Sequence, residues 1–517
     1  MIAIPTTTVS SSSIEAAQKW ATLDPNPITA EYTRNLIDDV MTTTSDGSSP
    51  SPAMESIESL FPSDGQQRIG FGTAGLRSEM KPGPLGMNDL TVCQTAQGLA
   101  KYCVKKHSQQ PSKKLCAVVG YDHRSHPTLN ISSLSFAILT AIIFAEAGID
   151  CILLDGFVMT PLVPFAIQKL GAICGVMVTA SHNPKSDNGY KVYDGDACQI
   201  RSPTDKAIAS EILNNLEPWK DYRSIVEDRR TKHTNDPCLG LSDPKATQEL
   251  LADYFSALRD SGLYTGQAPR LLPSGKAPSF AYTAMHGIGH PFAKRVFETF
   301  GMEAFRAVPE QRDPDPSFPT GTYKLQHFFF ETCAWLSVND HKFTHLTQKF
   351  SAKYFFTDKL FVCGFSLVFL SVKFPNPEEN GSLDIAKAFA DAEGCEIILA
   401  NDPDADRLAV AEKDRSTGKW TIFSGDQIGT MLGLWIWESI GKHSDKVGFE
   451  IVCSDFCFRN IVCILRGGST HICPFSYSFS RLILFCTNSL FLCVPLPSPP
   501  KCWLKLVGKK DFVSKNA

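Results

Sequence analysis

Three aspartates alternate within one short segment of this 517-residue chain, Asp402-Pro403-Asp404-Ala405-Asp406-Arg407. Carboxylates at i, i+2 and i+4 converge on one point if the loop carrying them curls. Clustered like charges are costly without a cation, and three short, hard oxygen donors suit Mg²⁺. An EF-hand is excluded, because Arg407 stands where its sixth-position Gly belongs and Lys413 where its twelfth-position Glu belongs. A second segment, Thr179-Ala180-Ser181-His182-Asn183-Pro184, presents Ser181 in a turn that Asn183-Pro184 enforces. A serine hydroxyl acts as a nucleophile only beside a base or a preset electrophile. His182 is adjacent in sequence, so its ring need not face the serine. On local grounds Ser181 also reads as a helix cap or turn former. Asp187-Asn188-Gly189 makes a tight turn ahead of a strand carrying Lys191, which reads as a phosphate contact, a proton shuttle or a solvated strand residue. A serine nucleophile and a divalent cation on one scaffold point to phosphoryl transfer.

Gly70-Phe71-Gly72-Thr73-Ala74-Gly75 spells G-x-G-x-x-G, yet no strand leads into it and Lys81-Pro82-Gly83-Pro84 follows where a helix should begin. The dinucleotide reading therefore fails. A kinase reading fails too, with Arg77 in the place of the expected valine and no V-A-I-K anywhere. What is left is a compact glycine turn, either delivering Arg77 to an anion or purely structural.

The elements that position these groups alternate. Leu115 to Gly120, Asp150 to Leu154 and Ala172 to Val178 read as buried strands, separated by helices at Ser133 to Ala147 and Leu162 to Leu170. A second round has strands at Ser279 to Met285, Ile397 to Ala400 and Leu408 to Ala411, with helices at Pro291 to Phe300 and Asp426 to Glu438. Uniformly apolar strands joined by amphipathic helices indicate a sheet covered on both faces, with ligands gathering beyond the strands' carboxyl ends. Ser181 and Asp402 both fall at such ends. Two further helices are expected at Ile14 to Leu23 and Ala30 to Met41.

Length allows about three domains of ~150 residues. With 43% hydrophobic and 20% charged residues and a net charge of −4, the composition is that of a globular protein with no basic footprint for nucleic acid. The Ser/Thr-rich N-terminus lacks the charged and apolar regions of a secretory signal, so the expected location is cytoplasmic. Many of the 17 cysteines sit singly in apolar runs and behave as small hydrophobes. Cys453, Cys457, Cys463 and Cys473 include no C-x-x-C pair of the kind zinc sites use. The apolar runs Leu360 to Val372 and Leu482 to Leu496 are shorter than the ~20 residues a membrane span needs, so no membrane association is expected.

Gly72-Thr73-Ala74-Gly75-Leu76-Arg77, Thr179 to Pro184, Asn188-Gly189-Tyr190-Lys191 and Asp402 to Arg407 together resemble the α-D-phosphohexomutase superfamily. Asn401 to Arg407 and Lys373-Phe374-Pro375-Asn376-Pro377-Glu378 look most like its phosphoglucomutase-2/phosphopentomutase branch. The resemblance implies repeated phosphohexomutase-type α/β domains with mixed, largely parallel sheets. It implies a mutase interconverting glucose 1-phosphate and glucose 6-phosphate, or (deoxy)ribose 1-phosphate and 5-phosphate, through a sugar bisphosphate such as glucose 1,6-bisphosphate. Ser181 would be the phosphoserine and a metal ligand, with Asp402, Asp404 and Asp406 completing the Mg²⁺ site. Lys191 and His182 would serve catalysis, while Thr73, Arg77, Asn183 and Arg407 would hold phosphate. Small sugar phosphates would be the partners, and the protein a monomer.

The implied organisation is an N-terminal region at 1–65, domain I with the phosphoserine loop at 66–240, domain II with the metal loop at 241–425, and the start of domain III at 426–453. Residues 321–371 are Phe-rich and aperiodic, too long for a structureless loop in a compact domain, and read as a non-native insert of translated non-coding sequence. Residues 454–517 read as an unrelated tail. Neither a Gly-Glu-Glu-Ser-type sugar loop nor an Arg-Ser-Gly-Thr-type phosphate cradle is found, so domain III is expected to be incomplete and domain IV absent. The corresponding alternative is a catalytically inactive, truncated product that at most binds Mg²⁺ or sugar phosphate. An interrupted domain III would also leave the strand ending at Cys453 with an unpaired edge.

Overall fold

The computed structural model describes residues 11–43, 52–63, 67–109, 115–231, 244–261, 277–319 and 375–440, and three later strands at 448–454, 461–466 and 489–490. The expected insert at 321–371 and most of the tail after 454 lie outside the described residues.

Three helices come first: α1 (Ser11–Leu23), α2 (Pro27–Thr43) and α3 (Pro52–Leu60). Their apolar faces, with Trp20, Leu36, Val40, Ile57 and Phe61, close over Leu90. Asn26 fastens this helical unit to domain I. Its amide donates to Asp89 Oδ2 at 2.9 Å and to the Leu129 carbonyl at 3.0 Å.

Domain I contains β1 (Leu76–Glu79), α4 (Asp89–His107), β2 (Cys116–Tyr121), β3 (Ser125–His126), β4 (Ile131–Ser132), α5 (Ser133–Glu146), β5 (Asp150–Leu153), α6 (Leu162–Leu170), β6 (Cys174–Val178), β7 (Asp187–Asp194), α7 (Thr204–Leu213) and α8 (Arg223–Thr231). Its sheet runs β1-β7-β6-β2-β5. β2 pairs in parallel with β5 and β6, while β7 runs antiparallel to β6 and β1. Successive β2 side chains enter opposite cores, as the two-residue strand period requires: Ala117 and Val119 join one, Val118 the other. The first core lies under α4, α5 and α7. The second lies under α6 and α9 (Pro244–Asp260), with Leu251, Tyr254 and Phe255 packed against Leu162 and Ile167.

Capping fixes where the domain I helices begin. Asn88 and Thr91 make a reciprocal capping box at α4, and Ser132 and Ser135 make another at α5, each satisfying amides that the first helical turn leaves open. Helix α4 was not foreseen from the sequence. Its buried face carries Thr91, Gln94, Thr95 and Gln97, which blurs the apolar period. The glutamine amides donate to the carbonyls of Leu216, Asn215 and Glu217.

Domain II comprises β8 (Phe280–Thr283), α10 (Gly289–Thr299), β9 (Arg306–Ala307), α11 (Asp384–Glu393), β10 (Ile397–Asn401), β11 (Leu408–Lys413) and β12 (Trp420–Phe423), in sheet order β12-β11-β10-β8-β9. Both sheets are mixed, each with two parallel and two antiparallel pairings. Helix α12 (Gly425–Ile440) follows, then β13 (Gly448–Ser454), β14 (Ile461–Arg466) and β15 (Ser489–Leu490). The expected open edge at Cys453 is not observed, because β13 pairs with β14 on one side and β15 on the other.

Candidate phosphoryl-transfer site

Ser181 lies just beyond the carboxyl end of β6, and Asp402 just beyond that of β10. Both loops contain a non-glycine residue in the left-handed region, Ser181 at φ 53° and Ala405 at φ 55°. Such a conformation is costly and persists only where surrounding structure over-determines it. In the serine loop, Thr179 Oγ1 accepts from the Ser181 amide at 2.9 Å. In the aspartate loop, Asp402 Oδ1 accepts from the amides of Asp406 at 3.1 Å and Arg407 at 2.9 Å, which curls the loop around its own first carboxylate.

The two loops meet. Ser181 Oγ donates to Asp402 Oδ2 at 2.5 Å and lies 3.4 Å from His182 Nδ1. Asp402, Asp404 and Asp406 are buried, with one oxygen from each lying within 4.8 Å of the others. Lys191, projecting from β7 and 1% exposed, donates to Asp404 Oδ2 at 2.6 Å and Asp406 Oδ2 at 2.8 Å. Arg407 Nε lies 3.8 Å from Asp402 Oδ2 and 4.0 Å from Asp406 Oδ1. Arg77, on β1, donates from Nη1 to Asn183 Oδ1 at 3.0 Å, and Asn183 donates to Asp187 Oδ2 at 2.9 Å. Thr73 is exposed, at the tip of the Gly72–Gly75 turn. That turn needs its second glycine: Gly75 has φ +75°, and a Cβ there would meet the Tyr190 carbonyl oxygen.

Burial, then the neighbouring charges of Asp404 and Asp406, push the Asp402 carboxyl well above its ordinary range. Burial also acts upward on Asp404, but there the Lys191 ammonium outweighs it and holds the carboxyl below its usual range. Lys191 and, at longer range, Arg407 thus offset part of a three-carboxylate charge. Asp404 Oδ1 is buried and accepts no hydrogen bond, and Arg407 Nη1 is buried and donates none. A buried carboxylate oxygen without a partner is an unusual arrangement that a bound ion would resolve. The donor set of three carboxylates and one hydroxyl fits Mg²⁺, and the unused guanidinium nitrogen beside it fits an anion.

Several residues escaped the sequence reading. Thr160, two residues before α6, donates its hydroxyl to Asp404 Oδ2 at 2.7 Å and its amide to the Asp404 carbonyl at 3.0 Å, tying domain I to the aspartate loop. Thr179 adds a 3.2 Å bond to the same oxygen. Arg124 reaches the serine loop from β2's carboxyl end. The position of Asp122-His123-Arg124, just past the end of β2, was the available signal. Gly287 supports the aspartate loop from behind, where a Cβ would lie 2.3 Å from Pro403 Cα.

Two α/β domains with a serine and a buried aspartate triad facing each other at their strand ends define a phosphosugar-mutase-like architecture. Residues 68–218 match the phosphoglucomutase/phosphomannomutase alpha/beta/alpha domain I, and residues 363–418 match domain II of the same family. The chain belongs to the α-D-phosphohexomutase superfamily, in its phosphoglucomutase-2/phosphopentomutase-like branch. It is 36% identical over 428 residues to the phosphopentomutase of Homo sapiens, an alignment covering 82% of this chain and 56% of that protein. To the phosphoribomutase of Saccharomyces cerevisiae it is 38% identical, covering 73% of this chain and 51% of that one. The glucose 1,6-bisphosphate synthase of Homo sapiens is 34% identical, with 83% and 56% covered. The chain therefore spans about half the length of the curated relatives it matches. The domain II match takes in 363–371, the last part of the segment expected to be an insert. Among the described residues no helix is long and apolar enough to cross a membrane.

Proposed function

We propose that this chain carries the phosphoserine and metal loops of a sugar phosphomutase. The observation that carries the reading is the 2.5 Å contact between Ser181 Oγ and Asp402 Oδ2, made across two domains and inside a buried acidic triad. The names of the relatives, phosphopentomutase, phosphoribomutase and glucose 1,6-bisphosphate synthase, support a sugar phosphate as substrate. Glucose 1-phosphate and (deoxy)ribose 1-phosphate are the two substrate classes proposed.

In this reading Ser181 Oγ carries a phosphoryl group that passes to the free hydroxyl of a sugar monophosphate, giving a bisphosphate. The sugar turns over, and its other phosphoryl returns to Ser181, so no phosphate is lost or gained. Ser181, Asp402, Asp404 and Asp406 are the residues that would hold Mg²⁺, and the ion would supply charge neutralisation to the phosphoryl group. Arg407, with a nitrogen to spare, and Arg77, fixed by Asn183, hold phosphate oxygens. His182, with Nδ1 3.4 Å from Ser181 Oγ, and Lys191, bonded to Asp404 and Asp406, would be the groups that move the proton exchanged between Ser181 and the sugar hydroxyl.

Incubation with Mg²⁺, a catalytic amount of glucose 1,6-bisphosphate and either glucose 1-phosphate or ribose 1-phosphate tests the proposal. We expect conversion to the 6- or 5-phosphate, abolished by Ser181→Ala. No conversion above the Ser181→Ala background at high protein concentration would instead make this a catalytically inactive product that at most binds Mg²⁺ or sugar phosphate.

A further inference from the structure

Arg124 is wholly buried, sits on neither reacting loop, and is aimed at the backbone of the serine loop. Its Nη2 donates to the carbonyls of Ser181 at 2.6 Å and Asn183 at 2.8 Å. Its Nη1 donates to the carbonyls of Pro184 at 2.6 Å and Asp187 at 2.9 Å. One guanidinium thus donates to four carbonyls in a seven-residue stretch, a geometry that only a planar fork of donors can supply. Its charge is balanced by Asp122 Oδ2, 3.6 Å from Nε. Asp122 is itself fixed by the Arg124 amide at 3.0 Å and by the Ser133 hydroxyl at 2.5 Å. On another side the Phe318 ring of domain II lies 5.2 Å from the guanidinium carbon.

We propose that Arg124 is the positioning residue of the Ser181 nucleophile: it holds the serine in its left-handed backbone conformation, with Oγ turned to the aspartate triad. The physical case is one of alternatives. A left-handed serine is strained, and a loop of carbonyls free to find other donors would relax to a commoner conformation. Four charge-assisted bonds from one rigid group remove that freedom. Because Arg124 bonds only to main-chain atoms of the loop, it constrains the path of the backbone and leaves Oγ, the carboxylates and the metal donors unencumbered. Phe318 extends the constraint across the domain boundary, so that the turn from Asp315 to Phe318 in domain II packs on the group that sets the domain I loop.

The inference rests on the reading of Ser181 as the phosphoryl carrier, and its test separates the two. Wild-type protein, Arg124→Lys and Arg124→Met are incubated with Mg²⁺ and glucose 1,6-bisphosphate. Phosphoryl uptake on Ser181 is followed by intact mass against bisphosphate concentration. In the transfer, the donor's P–O bond breaks and a P–Oγ bond forms; the serine proton passes to the released sugar hydroxyl. Thermal melting and Mg²⁺ affinity are read in parallel.

If the wild type takes up no phosphate, the functional reading fails whatever the variants do. If it does, we expect saturating uptake by Arg124→Met to fall roughly 100-fold, the usual cost of about 1 Å of misplacement. Half-saturating bisphosphate should stay near wild type, and Mg²⁺ affinity should fall far less than the rate, because the three carboxylate donors lie on the aspartate loop. Arg124→Lys, which keeps the charge but lacks the fork, should melt cooperatively and recover only part of the rate. Uptake at the wild-type rate in either folded variant would overturn the proposal. So would unfolding of both, which would make Arg124 a residue of the fold rather than of the nucleophile.

Discussion

The serine loop of domain I and the aspartate loop of domain II do comparable work with different supports. The aspartate loop braces itself: Asp402 Oδ1 accepts two amides from its own turn, and Pro403 rests on Gly287 within the same domain. The serine loop makes bonds of its own, from the Ser181 amide to Thr179 Oγ1 and from Asn183 to Asp187, but is also braced from outside, by Arg124, whose partners lie 57 to 63 residues further along the chain. A loop that must present three anions to a cation gains by being curled before the cation arrives. A loop that presents one hydroxyl needs only its backbone path fixed. The two meet at Asp404, where Thr160, Thr179 and Lys191 of domain I all converge on one oxygen.

That convergence makes Asp404 the place where both loops break together. Asp404→Asn removes a metal donor and a counter-charge of buried Lys191, and breaking such a pair costs about 3–5 kcal/mol. We expect lost Mg²⁺ binding by calorimetry and a matching drop in the denaturation midpoint. Gly287→Ala attacks the aspartate loop alone. A methyl group driven against Pro403 should cost about 1–3 kcal/mol in chemical denaturation and weaken Mg²⁺ binding, while leaving the Arg124 bonds intact.

Asp402 gives the comparison a pH signature. Its folded-state carboxyl is raised above its unfolded value. Without metal, the folded protein therefore holds this proton more tightly than the unfolded chain. It gains stability below its folded pKa and loses that gain as pH rises through it. Mg²⁺ must displace the proton, so affinity should climb with pH by up to about tenfold per unit across the window above the ordinary carboxylate range, then level off. Calorimetric titrations in buffers of different ionisation enthalpy report the released proton directly. Thr160→Val is the mildest of the changes. It removes one of several bonds to Asp404 Oδ2 and should cost about 1 kcal/mol, read as a small shift in the urea midpoint.

The same division separates what could be read in the sequence from what could not. The aspartate loop was legible because the residues that function are also those that brace it, within six positions. The helix at Leu162 to Leu170 was equally plain, its apolar stripe unmixed. Helix α4 was not, since its period is interrupted by buried glutamines that serve distant carbonyls and buried threonines that serve nearby ones. Arg124, despite its place just past β2, and Thr160 were not singled out, for the related reason that their partners are fixed by topology, not spacing. Ser181, His182 and Asn183 were found as a group, but the orientation of the His182 ring, 3.4 Å from Ser181 Oγ, needed the folded loop. Thr73, grouped with the phosphate binders by its neighbours in the turn, lies at an exposed tip.

The most direct measurement is to locate phosphate by peptide mass spectrometry after incubating the protein with glucose 1,6-bisphosphate, with and without Mg²⁺. We expect a single phosphoryl group on Ser181, dependent on Mg²⁺ and absent from Asp404→Asn. Phosphate on another residue, uptake indifferent to Mg²⁺, or no uptake at all would contradict a site built from these two loops.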